Sequence, residues 1–151
     1  MADKDVVVRN EAGGYRTEVR AGGHTLVADE PASVGGTEQG PTPYDFLLGA
    51  LGACTAMTAR MYAGRKGWPL ENVTVRLRQG HSYAQDCADC ATQSVAIPMI
   101  DREIDFEGPL TDEQRERLYT IAERCPVGQT MAAGIHVRTV RPEPAAEAPG
   151  A

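Results

Sequence analysis

The chain has 151 residues, 42% of them hydrophobic, and a net charge of −6. That length suits a single domain able to bury its own core. With this negative net charge, the chain lacks the excess of basic residues that favours binding to nucleic acid or to an anionic membrane surface. No window resembles a membrane-spanning helix, and the amino terminus lacks the apolar segment of a signal peptide. We therefore expect a cytoplasmic protein with neither nucleic-acid nor membrane partners, with one domain over residues 1–141 and a disordered tail over 142–151.

Short strand-like segments fill the first third of the chain. Residues 6–10, 15–19 and 24–28 are rich in strand-forming side chains, and two glycine pairs, Gly13-Gly14 and Gly22-Gly23, separate them. This spacing is typical of a hairpin or meander. The following segment, DEPASVGGTEQGPTP, is rich in glycine and proline and predicts a loop that leads into a helix.

A long helix is predicted to begin at Thr42 or Pro43. Thr42 is a suitable cap, Pro43 suits the first helical position, and Asp45 lies in the first turn near the positive end of the helix dipole. Small and apolar residues cover much of the circumference, which predicts a buried central helix. Gly49 and Gly52 weaken a helix, so they predict the close approach of another backbone.

The remainder of the chain reads as strands, a helix, a helical turn and a strand. The alternation typical of strands occurs in residues 72–79, 93–98 and 100–107. A second helix is predicted from Thr111 or Asp112, with Leu118, Ile121, Ala122 and Cys125 on one face. A helical turn at 127–134 and a final strand at 135–140 follow. Closely spaced runs of strands and two helices in this order predict an α+β domain.

Two of the four cysteines occupy predicted helices. Cys54 lies in the middle of the long helix, where it is either a small core residue or a reactive thiol that has positive charge nearby and access to solvent. Cys125 ends the second helix in ERCPV, where Arg124 brings charge and Pro126 interrupts the backbone. The two thiols can form a disulfide only if their helices pack together.

The other two cysteines form the motif CADC. Cys87 and Cys90 would need two further ligands for structural zinc, and His81 is the nearest candidate. A thioredoxin-like site would need a strand-to-helix setting that this segment lacks. The motif therefore predicts a redox or metal site, or otherwise ordinary loop thiols.

Two motifs together carry a family resemblance. The run from GPTPYD to ALGACTAMT, which brings a cysteine into the first helix, and the later CPV motif resemble the OsmC/Ohr family, in particular its OsmC-like branch, over about residues 10–140. The resemblance implies an α+β fold of curved antiparallel sheets wrapped around two central helices, in an intertwined homodimer with its active site at the subunit interface.

The same resemblance implies a thiol peroxidase that reduces organic hydroperoxides. In the family, the cysteine matching Cys54 attacks the peroxide and becomes a sulfenic acid, and the one matching Cys125 closes a disulfide with it. An external dithiol, a lipoylated or thioredoxin-like protein, then restores both thiols. No bound cofactor or metal is implied.

The sequence departs from the family pattern at two places. The family pairs its reactive thiolate with an arginine from the amino-terminal strands and a glutamate directly after the helix-starting proline; here Tyr44 and then Asp45 follow Pro43. Arg16 and Arg20 are candidates for the arginine. The predicted catalytic set is therefore Cys54, Cys125, Arg20 and Asp45.

The second departure follows the CPV motif. Gly128 and Gln129 stand where histidine and arginine are usual. A cation is thereby lost, and Cys54 is expected to react slowly unless another positive charge replaces it.

Two other functions remain open from the sequence. One is a non-peroxidatic redox sensor or disulfide-handling protein that acts through Cys87 and Cys90. The other is a small-ligand binding module on the same scaffold, with inert buried thiols.

Overall fold

Antiparallel strands precede and separate the helices of this chain. The computed structural model describes residues 5–79 and 99–142. In chain order the elements are β1 Val6–Asn10, β2 Thr17–Ala21, β3 His24–Ala28, α1 Pro43–Lys66, β4 Asn72–Gln79, β5 Ile100–Glu107, α2 Asp112–Ala122 and α3 Pro126–Ala133. The predicted strand at 93–98, the CADC motif and the tail from residue 143 lie outside the described residues.

The first three strands form the predicted meander, in the order β1-β2-β3. Both pairs are antiparallel. β2 begins at Thr17, two residues later than predicted, because the side chain of Asn10 donates hydrogen bonds to the carbonyls of Gly14 and Arg16, each at 3.1 Å. These bonds hold the residues before Thr17 in the turn.

The loop between β3 and α1 is wound around the buried carboxylate of Asp29. Its Oδ2 accepts hydrogen bonds from the hydroxyl of Thr37 at 2.5 Å and from the backbone N–H of Gln39 at 3.2 Å. A Cβ on Gly36 would lie 1.8 Å from the carbonyl oxygen of Glu30, so only glycine fits this loop. The loop thereby fixes where α1 begins.

α1 begins at the predicted position and ends at Lys66. Thr42 and Asp45 form a capping box, Pro43 is the first helical residue, and Gly67 closes the helix in the left-handed conformation at φ 66°. The expectation of a buried central helix holds for one face of α1 only in the single chain. One face is buried, whereas Met57 and Met61 on another are 61% and 55% exposed.

Within the described residues of the single chain, no backbone approaches the helix glycines as expected. A Cβ on Gly49 would meet none of these residues within 4 Å, and one on Gly52 would meet the side chain of Leu77 at 2.7 Å. Gly52 therefore makes room for a side chain of β4.

β4 and β5 form an antiparallel pair that packs on α1. Val73 pairs with Phe106, and Leu77 pairs with Arg102. The buried core between this sheet, α1 and α2 consists of Ala59, Ala63, Leu70, Phe106, Leu118 and Ala122. Burial of this apolar surface is the main stabilising contribution.

Two predictions near the carboxyl terminus are wrong. α2 ends at Ala122, and Cys125 is the N-cap of α3 rather than the last residue of α2, since Pro126 cannot continue the preceding helix. Residues 135–140 form no strand in the described chain. A strand needs a hydrogen-bonded neighbour, and this segment, with its exposed Ile135, Val137 and Val140, pairs with neither of the described sheets.

Among the described helices, none is both long enough and apolar enough to cross a membrane.

Candidate active site

The sulfurs of Cys54 and Cys125 meet at the first turn of α3. The Cys125 sulfur accepts a hydrogen bond from the N–H of Gly128 at 3.3 Å, as the cap of that helix. The Cys54 sulfur accepts one from the N–H of Val127 at 3.5 Å. The positive end of the α3 dipole thus faces both sulfurs.

The two cysteines differ in their access to solvent. Both are free thiols; Cys125 is fully buried, whereas Cys54 is partly exposed. A reagent from solution therefore meets the sulfur of Cys54 first.

A cation reaches this site from the neighbouring sheet. Nη1 of Arg102, on β5, lies 3.6 Å from the Cys125 sulfur and donates a hydrogen bond of 3.1 Å to the hydroxyl of Thr55. The Thr55 hydroxyl in turn lies 3.4 Å from the Cys125 sulfur. Arg102 and Thr55 therefore contact the same sulfur from β5 and α1.

These contacts lower the pKa of the Cys125 thiol. Burial alone raises that pKa, but hydrogen bonds from Thr55, the N–H of Gly128 and the thiol of Cys54, together with the charge of Arg102, outweigh the effect of burial. The surroundings of Cys125 therefore stabilise its thiolate form.

The cation that the structure shows near the CPV motif is Arg102 of β5, and it lies beside the sulfur of Cys125 rather than replacing a cation at Cys54. A Cβ on Gly128 would lie 2.9 Å from the Cys125 sulfur and 3.5 Å from Nη1 of Arg102. The absence of a side chain at Gly128 therefore leaves room for the sulfur. Arg124, expected from the sequence to bring charge to Cys125, is exposed instead.

Arg20 and Asp45 are not brought to the sulfurs within the chain. Arg20 is exposed and pairs with Glu18 at 2.6 Å. Asp45 accepts hydrogen bonds from the backbone and hydroxyl of Thr42, both at 2.9 Å. Asp45 precedes Cys54 by nine helical residues, which is roughly 13 Å along the helix axis. Their predicted pairing with Cys54 does not form in one chain, because each is held by a local partner.

The alternative arginine is also held elsewhere. Arg16 donates a hydrogen bond from Nε to the side-chain oxygen of Gln39 at 2.9 Å. It thereby ties the β1–β2 turn to the loop before α1.

Sequence reasoning missed Arg102 and Thr55. The signal for Arg102 was present in β5, where Ile100, Ile104 and Phe106 alternate inward and Arg102 takes the inward position between them. An arginine on the buried face of a strand needs a partner, which the fold supplies as Thr55 and Cys125. Thr55 had no comparable signal.

A largely apolar groove adjoins the sulfurs. It has a volume of about 700 Å³, and it is lined by Leu47, Leu51, Ile100, Arg102, Glu123, Gly128, Met131, Ala132 and Ile135. Of these residues, Arg102 and Gly128 also contact the Cys125 sulfur. The groove therefore leads to the site and offers an apolar surface to a ligand.

No cluster of three or more histidine, cysteine or acidic side chains suited to a metal occurs within residues 5–79 and 99–142. His81, Cys87 and Cys90 lie outside these ranges, so the zinc alternative stays a prediction.

Comparisons with known proteins give consistent matches. The model of a family described as OsmC-like protein matches residues 36–140. Curated protein sequences give no significant match. Among solved structures, an OsmC-like protein from Mycoplasma pneumoniae has 19% identity and a TM-score of 0.68, and covers 86% of this chain and 87% of its own.

Two further solved structures are named for resistance to organic hydroperoxides. One, from Legionella pneumophila, has 20% identity and a TM-score of 0.59, and the alignment covers 85% of this chain and 90% of the Legionella chain. The other, from Elizabethkingia anophelis, has 14% identity and a TM-score of 0.60, and the alignment covers 85% of this chain and 87% of the Elizabethkingia chain. At these identities the matches establish the fold, and they confirm the predicted α+β class.

Proposed function

The chain belongs to the family of OsmC-like proteins, and we propose on that basis that it is a thiol peroxidase that reduces organic hydroperoxides. One observation carries the proposal. The partly exposed sulfur of Cys54 and the buried sulfur of Cys125 share the first turn of α3, beside the guanidinium of Arg102.

In the proposed reaction, the Cys54 thiolate attacks the O–O bond of a hydroperoxide. One oxygen is transferred to the sulfur as a sulfenic acid, and the other leaves, after protonation, as an alcohol. The Cys125 thiolate then attacks the Cys54 sulfur, a disulfide forms, and the hydroxyl of the sulfenic acid leaves as water after taking up a proton. A dithiol, such as a lipoylated or thioredoxin-like protein, reduces the disulfide and becomes oxidised itself.

The apolar groove supports an organic substrate over hydrogen peroxide. Leu47, Leu51 and Met131 would cover the hydrocarbon part of a hydroperoxide, while Arg102 in the same lining lies 3.6 Å from the Cys125 sulfur. Burial of apolar surface favours binding by roughly 25 cal/mol per Å². Hydrogen peroxide has no apolar part and would gain nothing from these side chains.

A homodimer forms part of the proposal. Ala50, Ala53, Met57 and Met61 make an exposed apolar stripe along α1, and β1 exposes three consecutive valines to between 58% and 61%. Such a quantity of exposed apolar surface is typical of a protein interface. A second copy of the chain would cover it, and any contribution of Arg20 to the Cys54 thiolate would have to come from that copy.

Stopped-flow oxidation with cumene hydroperoxide tests the proposed activity. The wild type should react faster than Cys54→Ser, and faster with cumene hydroperoxide than with hydrogen peroxide. Cys125→Ser should still react and should accumulate a sulfenic acid that dimedone labels on Cys54. A wild type no faster than Cys54→Ser excludes the peroxidase and leaves the redox-sensor or ligand-binding alternatives.

A further inference from the structure

The surroundings of the two sulfurs are unequal. Cys125 has the charge of Arg102, the hydroxyl of Thr55 and the N–H of Gly128 within 3.6 Å of its sulfur. The contact from the backbone to the Cys54 sulfur is the N–H of Val127 at 3.5 Å. Among residues 5–79 and 99–142, the groups that stabilise a negative charge are therefore gathered at the sulfur of Cys125.

Thr55 can adjust to the ionisation of Cys125. Its hydroxyl accepts from Arg102 and has one hydrogen to donate, with two acceptors in reach: the carbonyl of Leu51 at 2.8 Å and the Cys125 sulfur at 3.4 Å. When the sulfur is protonated, the hydroxyl hydrogen is free to bond Leu51. When the sulfur is ionised, rotation about one bond turns that hydrogen to it.

We propose that Arg102 and Thr55 make Cys125 the leaving group when the Cys54–Cys125 disulfide is reduced, so that the reductant attacks the sulfur of Cys54. This inference rests on the disulfide of the proposed function. It deepens that function by assigning which sulfur receives the external thiol and which residues direct it there.

Reduction of the disulfide takes two exchange steps. A reductant thiolate forms a bond to the Cys54 sulfur, the Cys54–Cys125 bond breaks, and its electron pair leaves on Cys125 as thiolate. The second thiol of a dithiol reductant, once deprotonated, then attacks the reductant sulfur bound to Cys54 and releases Cys54 as thiolate. The reductant ends as a disulfide, having supplied both electrons. Exchange is faster when the leaving thiolate is the more stable one.

Mapping a trapped mixed disulfide tests the direction of attack. In Cys87→Ser/Cys90→Ser protein, diamide forms the disulfide without any need for peroxidase activity. A brief pulse of glutathione is then quenched with acid, and peptic peptides are identified by mass spectrometry. Glutathione should be found on Cys54. Glutathione on Cys125, or divided equally between the two, overturns the inference.

Variants in the same background test the role of Arg102 and Thr55. Reduction of the disulfide by glutathione should be slowed about tenfold in Arg102→Gln and partly restored in Arg102→Lys, which keeps the charge. Thr55→Val, which keeps the shape but removes the hydroxyl, should also be slower than Thr55→Ser. Arg76→Gln, which removes an exposed arginine paired with Glu103 on the outer face of the same sheet, is the matched control and should stay within about twofold of the parent.

The outcomes separate this inference from the proposed function. If hydroperoxide fails to oxidise the protein but diamide does, and glutathione is found on Cys54, the peroxidase is excluded and the direction of attack stands. If hydroperoxide oxidises Cys54 but glutathione is found on Cys125, the peroxidase stands and the inference is wrong. Unchanged reduction rates in both Arg102→Gln and Thr55→Val also overturn it.

Discussion

Gly128 lies against the sulfur of Cys125 so closely that no side chain fits between them. A Cβ at this position would lie 2.9 Å from the sulfur and 3.4 Å from the side chain of Leu51. The lack of a side chain at Gly128 thus lets the sulfur lie against the first turn of α3, where the N–H of Gly128 donates to it at 3.3 Å.

Gly128→Ala should displace the Cys125 sulfur. The added methyl group overpacks the site, and we expect a loss of about 1–3 kcal/mol in the free energy of unfolding and disulfide closure slower by up to about 100-fold. Urea unfolding and diamide oxidation followed by free-thiol counting measure the two effects. Gly49→Ala, where no described residue lies within 4 Å of the new methyl group, is the control and should preserve both. Wild-type closure rates in Gly128→Ala would contradict the close contact.

Arg102→Gln should raise the pKa of the Cys125 thiol. The variant removes the positive charge beside the sulfur, while burial, which disfavours the thiolate, remains. Thiolate absorbance at 240 nm, titrated in protein that retains Cys125 as its one cysteine, measures the change. Arg76→Gln should titrate as the parent does. A titration curve unmoved by Arg102→Gln would show that the hydrogen bonds of Thr55 and Gly128 suffice.

Asp29→Asn should destabilise the fold in a pH-dependent manner. The pKa of Asp29 is lowered to about 2, chiefly by the hydrogen bond from Thr37 and further by backbone N–H groups, although burial opposes the shift. The carboxylate therefore stabilises the native state above the ordinary pKa of aspartate, about 4, and that contribution is lost as the pH falls toward 2.

Thermal unfolding across this pH range measures the effect. Asp29→Asn should have a lower Tm than the wild type near pH 7, and the difference should shrink as the pH falls from about 4 to about 2. A difference in Tm that does not depend on pH would mean that Asp29 acts through packing alone.

Met57→Asp/Met61→Asp should weaken the proposed homodimer. Two carboxylates placed on the exposed stripe of α1 would be desolvated in an interface, and each such buried charge is costly. Light scattering coupled to size-exclusion chromatography should give the mass of a dimer for the wild type and of a monomer for the variant. Met99→Asp, at an exposed position outside α1, should remain dimeric. A monomeric wild type would exclude the dimer.

Local signals in the sequence predicted most of the fold. Thr42, Pro43 and Asp45 define the start of α1 through hydrogen bonds among near neighbours, and alternation in residues 72–79 and 100–107 gives β4 and β5. The break between α2 and α3 was misplaced, because helical spacing put Cys125 on the face of α2 although Pro126 already pointed to a boundary.

The site was harder to predict, because its partners are distant in sequence. Spacing can suggest that Cys54 and Cys125 matter, but only the packing of β5 on α1 and α3 brings Arg102 to the sulfur. Arg20 and Asp45 were chosen by family resemblance. Within the chain, Arg20 instead forms an ion pair with Glu18, and Asp45 forms a capping box with Thr42. The alternation in β5 indicates that Arg102 faces inward. It does not indicate that Thr55 and Cys125 are the residues that Arg102 faces.

Peptide mass spectrometry after one equivalent of cumene hydroperoxide tests the central claim most directly. Brief exposure, acid quenching and digestion reveal which cysteines the oxidant has joined. We predict a disulfide between Cys54 and Cys125 that is absent from Cys54→Ser. A protein in which both thiols survive the pulse, or in which Cys87 and Cys90 are joined instead, would contradict the assignment of the reaction to these two sulfurs.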